Sequence, residues 1–308
     1  MRHAVIDLGT NTVRLLVAEV RAEGDWSPIH AEQRVTRLGE GLRTSGALGE
    51  APMTRTAAAV GEYVARAHAD GASSVRVVGT SAVREAQNGR EFAARLARET
   101  GARVDVISGD DEARLTLRGL ARGLALKGSM IAFDIGGGST EYVLARDAAL
   151  VGAVSLTLGV VPLSERFPFP ERVDPPRYAK MLEEIRARLA SELPPSIARA
   201  PIDVLVGTAG TVTTLAALDL ALPQYDPARV HGHRLTRVAV DRLLATLGAL
   251  TVAERGALPC LEPGRADLII PGTAIVVATM EQLGVDALVV SEYGLREGIM
   301  QVVSESPC

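Results

Sequence analysis

Short hydrophobic runs, each closed by an acid, a glycine or a hydroxyl residue, recur along the chain and read as buried strands. His3-Ala4-Val5-Ile6 ends in Asp7, and the apolar pattern resumes over residues 13–20, after Leu8-Gly9-Thr10-Asn11-Thr12. Met130-Ile131-Ala132-Phe133 ends in Asp134, passes through Gly136, Gly137, Gly138, Ser139, Thr140 and Glu141, and resumes at Tyr142. Both stretches predict strand, acid, tight turn, strand. Residues 75–78 run into Gly79-Thr80-Ser81, and residues 204–206 into Gly207-Thr208-Ala209-Gly210-Thr211, each before a helix-like segment. Residues 104–107 and Ala287–Val290 read as further strands. Helical patterns cover residues 51–69, 90–100, 112–126, 176–193 and 241–250, with a terminal helix from Leu295. Residues 264–283 have a helical composition, but Pro271-Gly272 predicts a broken or kinked helix.

These elements repeat. Asp7 and Asp134 lie 127 residues apart, and Gly79 and Gly207 lie 128 apart. Two motif pairs at nearly one offset predict a duplicated α/β domain. Residues 119–128 read as the hinge between the halves. At 308 residues the chain is long enough for two such cores.

Composition narrows the class. With 47% hydrophobic and 23% charged residues, the chain reads as a soluble globular protein. Charges or glycines interrupt every long apolar run, which argues against a membrane span, and the N-terminus enters a strand at once. A cytoplasmic location is therefore expected. Cys260 and Cys308 are too few for a disulfide framework and lack metal-ligand spacing. A net charge of −4 gives no reason to expect DNA, and any polyanion must meet a local basic patch.

Glycine-rich turns and helix N-termini present backbone N–H groups that bind anions, and neighbouring hydroxyls add donors. The candidates are Gly9, Thr10, Asn11 and Thr12 in the first half. In the second they are Gly136, Gly137, Gly138, Ser139, Thr140, Gly207, Thr208, Gly210 and Thr211. Asp7 and Asp134 sit where a divalent cation bridging to phosphate would want them, though either acid could also cap a hairpin. Arg84, one turn into a helix, could clamp phosphate or lie on a solvated face. Asp110, Asp111 and Glu112 open another helix; capping explains the first two, and one carboxylate could instead serve as a base.

AVIDLGTNTVRLLV, VVGTSAVREAQN, VISGDDEARL, AFDIGGGSTEYVL, VGTAGTVTTLAAL, RADLIIPGTAIV and SEYGLREGI occur in that order. Over nearly its whole length the chain thereby resembles the exopolyphosphatase/guanosine pentaphosphate phosphatase (Ppx/GppA) family. The resemblance implies two duplicated ribonuclease H-like domains of the actin/Hsp70/sugar-kinase superfamily around a central phosphate-binding cleft. The implied domains are residues 1–122 with a C-terminal helix at about 297–308, and residues 123–296. It implies Mg²⁺- or Mn²⁺-dependent release of terminal phosphate from inorganic polyphosphate, conversion of pppGpp to ppGpp as a second activity, and a homodimer. Carried over by position, the catalytic glutamate falls on Glu112, the phosphate-contacting arginine on Arg84, and the metal-site acids on Asp7, Asp134 and Glu141. DLGTNT replaces the family's common DxGSNS, exchanging hydroxyl for hydroxyl, and the chain stops where long members continue into a helical region, so a short-form member is expected. Two rival readings stay open: a small-molecule kinase of the same superfamily using ATP, and a catalytically weak (p)ppGpp or polyphosphate sensor.

Overall fold

In the computed structural model, which describes residues 1–21 and 24–305, the chain divides into two units. The first comprises Met1–Arg122 with the segment from Tyr293 onward, and the second Gly123–Glu292.

The first unit holds β1 (Arg2–Leu8), β2 (Thr12–Val20), β3 (Trp26–Val35), β4 (Ser74–Gly79) and β5 (Arg103–Val106), in the order β3-β2-β1-β4-β5. β1, β2 and β3 form an antiparallel meander, and β4 and β5 run parallel to β1. The second unit holds β6 (Ser129–Ile135), β7 (Thr140–Arg146), β8 (Ala149–Leu156), β9 (Val204–Thr208), β10 (Arg234–Thr236) and β11 (Ala287–Val290). Its order is β10-β11-β9-β6-β7-β8. Read from the other edge, β8-β7-β6-β9-β11 repeats the first sheet, and β10 is an added edge strand. This is the duplicated ribonuclease H-like plan. The central strands β1 and β6 are buried along most of their length, which is why they read as continuous apolar runs.

Two expectations about helices are corrected. Ile269–Leu283 is one unbroken α-helix. Pro271 is its third residue, where no intrahelical partner is available for an N–H anyway, and the Gly272 N–H reaches the Leu268 carbonyl at 3.0 Å. The helix expected over residues 112–126 spans Gly109–Gly123, because the Ser108 hydroxyl accepts the Asp111 N–H at 3.1 Å and starts it earlier. Gly119 therefore lies inside a helix and does not act as a hinge. A Cβ there would run into the Gly294 carbonyl, and one at Gly298 into the Leu115 carbonyl. Helix Leu295–Glu305 thus crosses Gly109–Gly123 backbone to backbone, and its Leu295, Ile299 and Met300 join Val5, Leu16 and Trp26 in one core. At the helix end Arg122 stacks on Trp26, 4.0 Å from the ring centroid.

In the second unit Arg255 is fully buried, and its guanidinium donates to the carbonyls of Leu247 and Leu250, both at 2.8 Å, and Phe169 at 3.0 Å. It thereby fixes the proline-punctuated loop around residue 169 from inside. Among the described residues no helix is long and apolar enough to cross a membrane. Cys260 is a free thiol; Cys308 lies outside the described residues.

Candidate active site

The two acid–turn hairpins share one backbone construction. In the first, the Gly9 N–H donates to the Thr12 carbonyl at 3.1 Å; in the second, the Gly136 N–H donates to the Ser139 carbonyl at 2.9 Å. A Cβ on Gly9 or Gly136 would lie 2.9 or 3.0 Å from that same oxygen, so glycine is required by close approach at both.

Carbonyls at both turns are taken up by backbone N–H groups within the protein. Those of Gly136 and Gly137 accept the N–H groups of Val160 and Val161, at 3.3 and 2.9 Å. In a planar trans peptide the next N–H points the opposite way, so the N–H groups of Gly137 and Gly138 turn outward from helix Val160–Arg166. In the first unit the Thr10 carbonyl accepts Gly39 N–H at 2.9 Å, and the Asn11 carbonyl accepts Thr36 and Arg37 N–H at 2.9 and 3.0 Å. The same geometry aims the N–H groups of Asn11 and Thr12 outward. Each unit therefore presents a short nest of aligned donors. Beside the second, Gly207 and Thr208 lead into helix Ala209–Asp219, where Gly210 lies against the Arg265 guanidinium and Thr211 against Gly272. Ala209 adopts φ 70° at this turn, a left-handed backbone at the mouth of a helix.

The acids at the strand ends differ between the units. Asp7 stands opposite Arg14 in the β1–β2 ladder; Asp134 stands opposite Glu141 in the β6–β7 ladder. Directly opposed residues project from the same face. Asp7 is buried and lies 3.5 Å from the Arg14 guanidinium. Burial raises the Asp7 carboxyl above its ordinary 3.8, against the pull of Arg14 and Arg296. Arg296 is itself paired with Glu297 at 2.7 Å. Because the folded value exceeds the unfolded one, Asp7 contributes stability below the ordinary carboxylate range and loses it as pH rises through the folded value. Asp7→Asn should therefore leave the melting temperature near pH 7 unchanged or raised, while a functional Asp7 makes phosphate release fall. Paired thermal melts and phosphate assays check this, and a marked drop in melting temperature near neutrality would count against it.

Glu141 accepts a hydrogen bond from Ser155 at 2.7 Å and is buried. Mg²⁺ prefers one or two carboxylates and completes its shell with water and phosphate oxygens. Asp134 and Glu141, adjacent on one sheet face, fit that demand. Asp7 fits it less well, because Arg14 already supplies a cation there. Among the described residues no group of three or more acids, histidines or cysteines that could hold an ion is found.

Arg84 and Glu112 meet. The guanidinium donates to Glu112 Oε2 at 2.8 Å and to the Ile107 carbonyl at 3.1 Å. Glu112 is 8% exposed, whereas Asp110 and Asp111 face solvent, Asp111 in a hydrogen bond with the Ser108 hydroxyl. Capping thus accounts for Asp111, and Glu112 is the acid turned inward. Arg14, Arg296, Glu297 and Ser155 escaped the sequence reading, although the 127-residue repeat that aligns Asp7 with Asp134 also aligns Arg14 with Glu141.

A profile of the Ppx/GppA phosphatase family matches residues 16–305. Exopolyphosphatase 2 of Mycobacterium tuberculosis is 36% identical over 97% of each chain. Exopolyphosphatase 1 of Mycobacterium bovis is 31% identical over 97% of this chain and 87% of its own. Among solved structures, the Aquifex aeolicus Ppx/GppA family member superposes with a TM-score of 0.82 at 33% identity, covering 100% of this chain and 99% of that one. An exopolyphosphatase from Cytophaga hutchinsonii superposes with a TM-score of 0.91 at 26% identity, covering 99% and 98%.

Proposed function

The chain belongs to the Ppx/GppA phosphatase family, and from that premise we propose that it is a Mg²⁺-dependent exopolyphosphatase that releases terminal orthophosphate from inorganic polyphosphate. We propose hydrolysis of pppGpp to ppGpp as a second activity of the same site. The observation that carries the reading is Glu112, an inward-turned carboxylate held by Arg84 at 2.8 Å. Anhydride hydrolysis asks a protein mainly for orientation and electrostatics, together with a group that takes the proton of the attacking water. Glu112 takes that proton on a carboxylate oxygen, while Arg84 fixes its orientation and offers its remaining N–H groups to phosphate oxygens. The outward N–H groups of Gly137 and Gly138 bind phosphate in the second unit, and those of Asn11 and Thr12 in the first. When bound at Asp134 and Glu141, Mg²⁺ supplies positive charge against the phosphate oxygens as the anhydride breaks. Polyphosphate is favoured as substrate by the names of the relatives at 31–36% identity.

Orthophosphate release from polyphosphate, measured with and without chelator, tests the reading. Release that is unaffected by chelation removes the metal from it, and no release at all removes the activity. Asp134→Asn should raise the Mg²⁺ concentration for half-maximal rate by roughly 10-fold or more, because it deletes a metal-site charge. An unchanged Mg²⁺ titration would place the ion elsewhere.

A further inference from the structure

We propose that Ser155 is a positioning residue for the divalent-cation site, acting through Glu141. This rests on the reading that Asp134 and Glu141 hold the cation. Ser155, Glu141, Asp134 and Thr208 stand opposite one another in successive ladders across β8, β7, β6 and β9, forming a single polar row on one sheet face. The matching row in the first unit reads Gln33, Arg14, Asp7 and Val78. The first unit thus sets a built-in cation beside its acid, while the second sets a second acid, which must itself be held in place. Two carboxylates opposed on adjacent strands repel and would swing apart unless something restrains them.

Ser155 supplies the restraint. Its hydroxyl donates to Glu141 Oε1 at 2.7 Å. An ionised carboxylate only accepts, so the serine hydroxyl is the donor in this bond and holds the Glu141 carboxylate by its Oε1 oxygen. The direct neighbour of Glu141 on the far side of the row is Ser155 itself, on edge strand β8, so the cation site reaches the sheet edge through one hydroxyl. Outer partners of this type orient a metal-binding carboxylate without touching the metal.

The test measures Mn²⁺ binding to substrate-free protein by electron paramagnetic resonance, beside the Mg²⁺ dependence of phosphate release. Ser155→Ala should weaken Mn²⁺ binding roughly 10-fold, the lower end of what losing such a partner costs. Its kcat at saturating Mg²⁺ should stay near wild type, and its circular dichroism and melting temperature should be preserved. Ser155→Thr, which keeps the hydroxyl, should restore binding to within about 3-fold, a range small against that 10-fold loss. In a Glu141→Gln background Ser155→Ala should add no further loss, since two residues acting through one interaction are not additive. If Glu141→Gln weakens Mn²⁺ binding and Ser155→Ala does not, the positioning role is overturned and the cation site stands. If Glu141→Gln leaves Mn²⁺ binding unchanged, the cation-site reading fails first. A Ser155→Ala protein with a lowered melting temperature and normal Mn²⁺ binding shows a strand-edge role only, which also overturns the inference.

Discussion

Glu112→Gln is expected to lower turnover on polyphosphate by roughly 10²–10⁴-fold, the usual range for losing a positioned general base. Glutamine keeps the shape and can still accept the Arg84 hydrogen bond that Glu112 receives at 2.8 Å, so the inward orientation should survive. Substrate affinity should hold or improve, because an anionic carboxylate beside a polyanion opposes ground-state binding. The loss should therefore appear in kcat and leave KM equal or lower. A Glu112 that serves only to anchor Arg84 and complement the helix N-terminus predicts otherwise, with a stability loss on the order of 1 kcal/mol and near-normal turnover. Steady-state kinetics on a folded Glu112→Gln protein separate the two. Normal kcat would move the base elsewhere, to Glu141 or Asp111.

Gly159→Ala should inactivate the protein through the donor loop. The new Cβ would lie 2.5 Å from the Gly138 Cα and closer still to the Gly137 carbonyl oxygen and the Gly138 carbonyl carbon. All three are backbone, so no side chain can swing aside, and overpacking of this kind costs about 1–3 kcal/mol. The loop must shift, carrying the outward N–H groups of Gly137 and Gly138 with it. A misplacement of about 1 Å at a reacting centre can cost on the order of 10²-fold in rate. Thermal melts should show moderate destabilisation, and phosphate release at a temperature where the variant is folded should fall at least as far as that. A folded variant with wild-type rates would show that this loop does not hold the substrate.

The elements legible in the sequence were those whose burial left a continuous apolar record. β1, β6 and β9 are central strands, and their runs ending in Asp7, Asp134 and Thr208 could be read directly. β3 left no such record, because as an edge strand it alternates exposed Ile29, Ala31 and Gln33 with half-buried but polar His30, Glu32 and Arg34. Pro271 looked like a helix breaker, since composition alone cannot say which residue begins a helix. Within the candidate site, the loops and Glu112 were visible as local motifs. The pairings were not. Arg84 meets Glu112 across 28 residues, and Ser155 meets Glu141 across 14, so both depend on strand register and helix placement that appear only in three dimensions. The contrast between Arg14 and Glu141 was present in the repeat but became informative only once both were seen opposite an acid.

Product analysis on polyphosphate of defined chain length tests the central claim most directly. Wild-type protein with Mg²⁺ should release orthophosphate and shorten each chain by one unit at a time from its end, with Glu112→Gln protein as the control. Interior fragments, transfer of phosphate to an acceptor without free orthophosphate, or no more orthophosphate than the Glu112→Gln control would contradict the account.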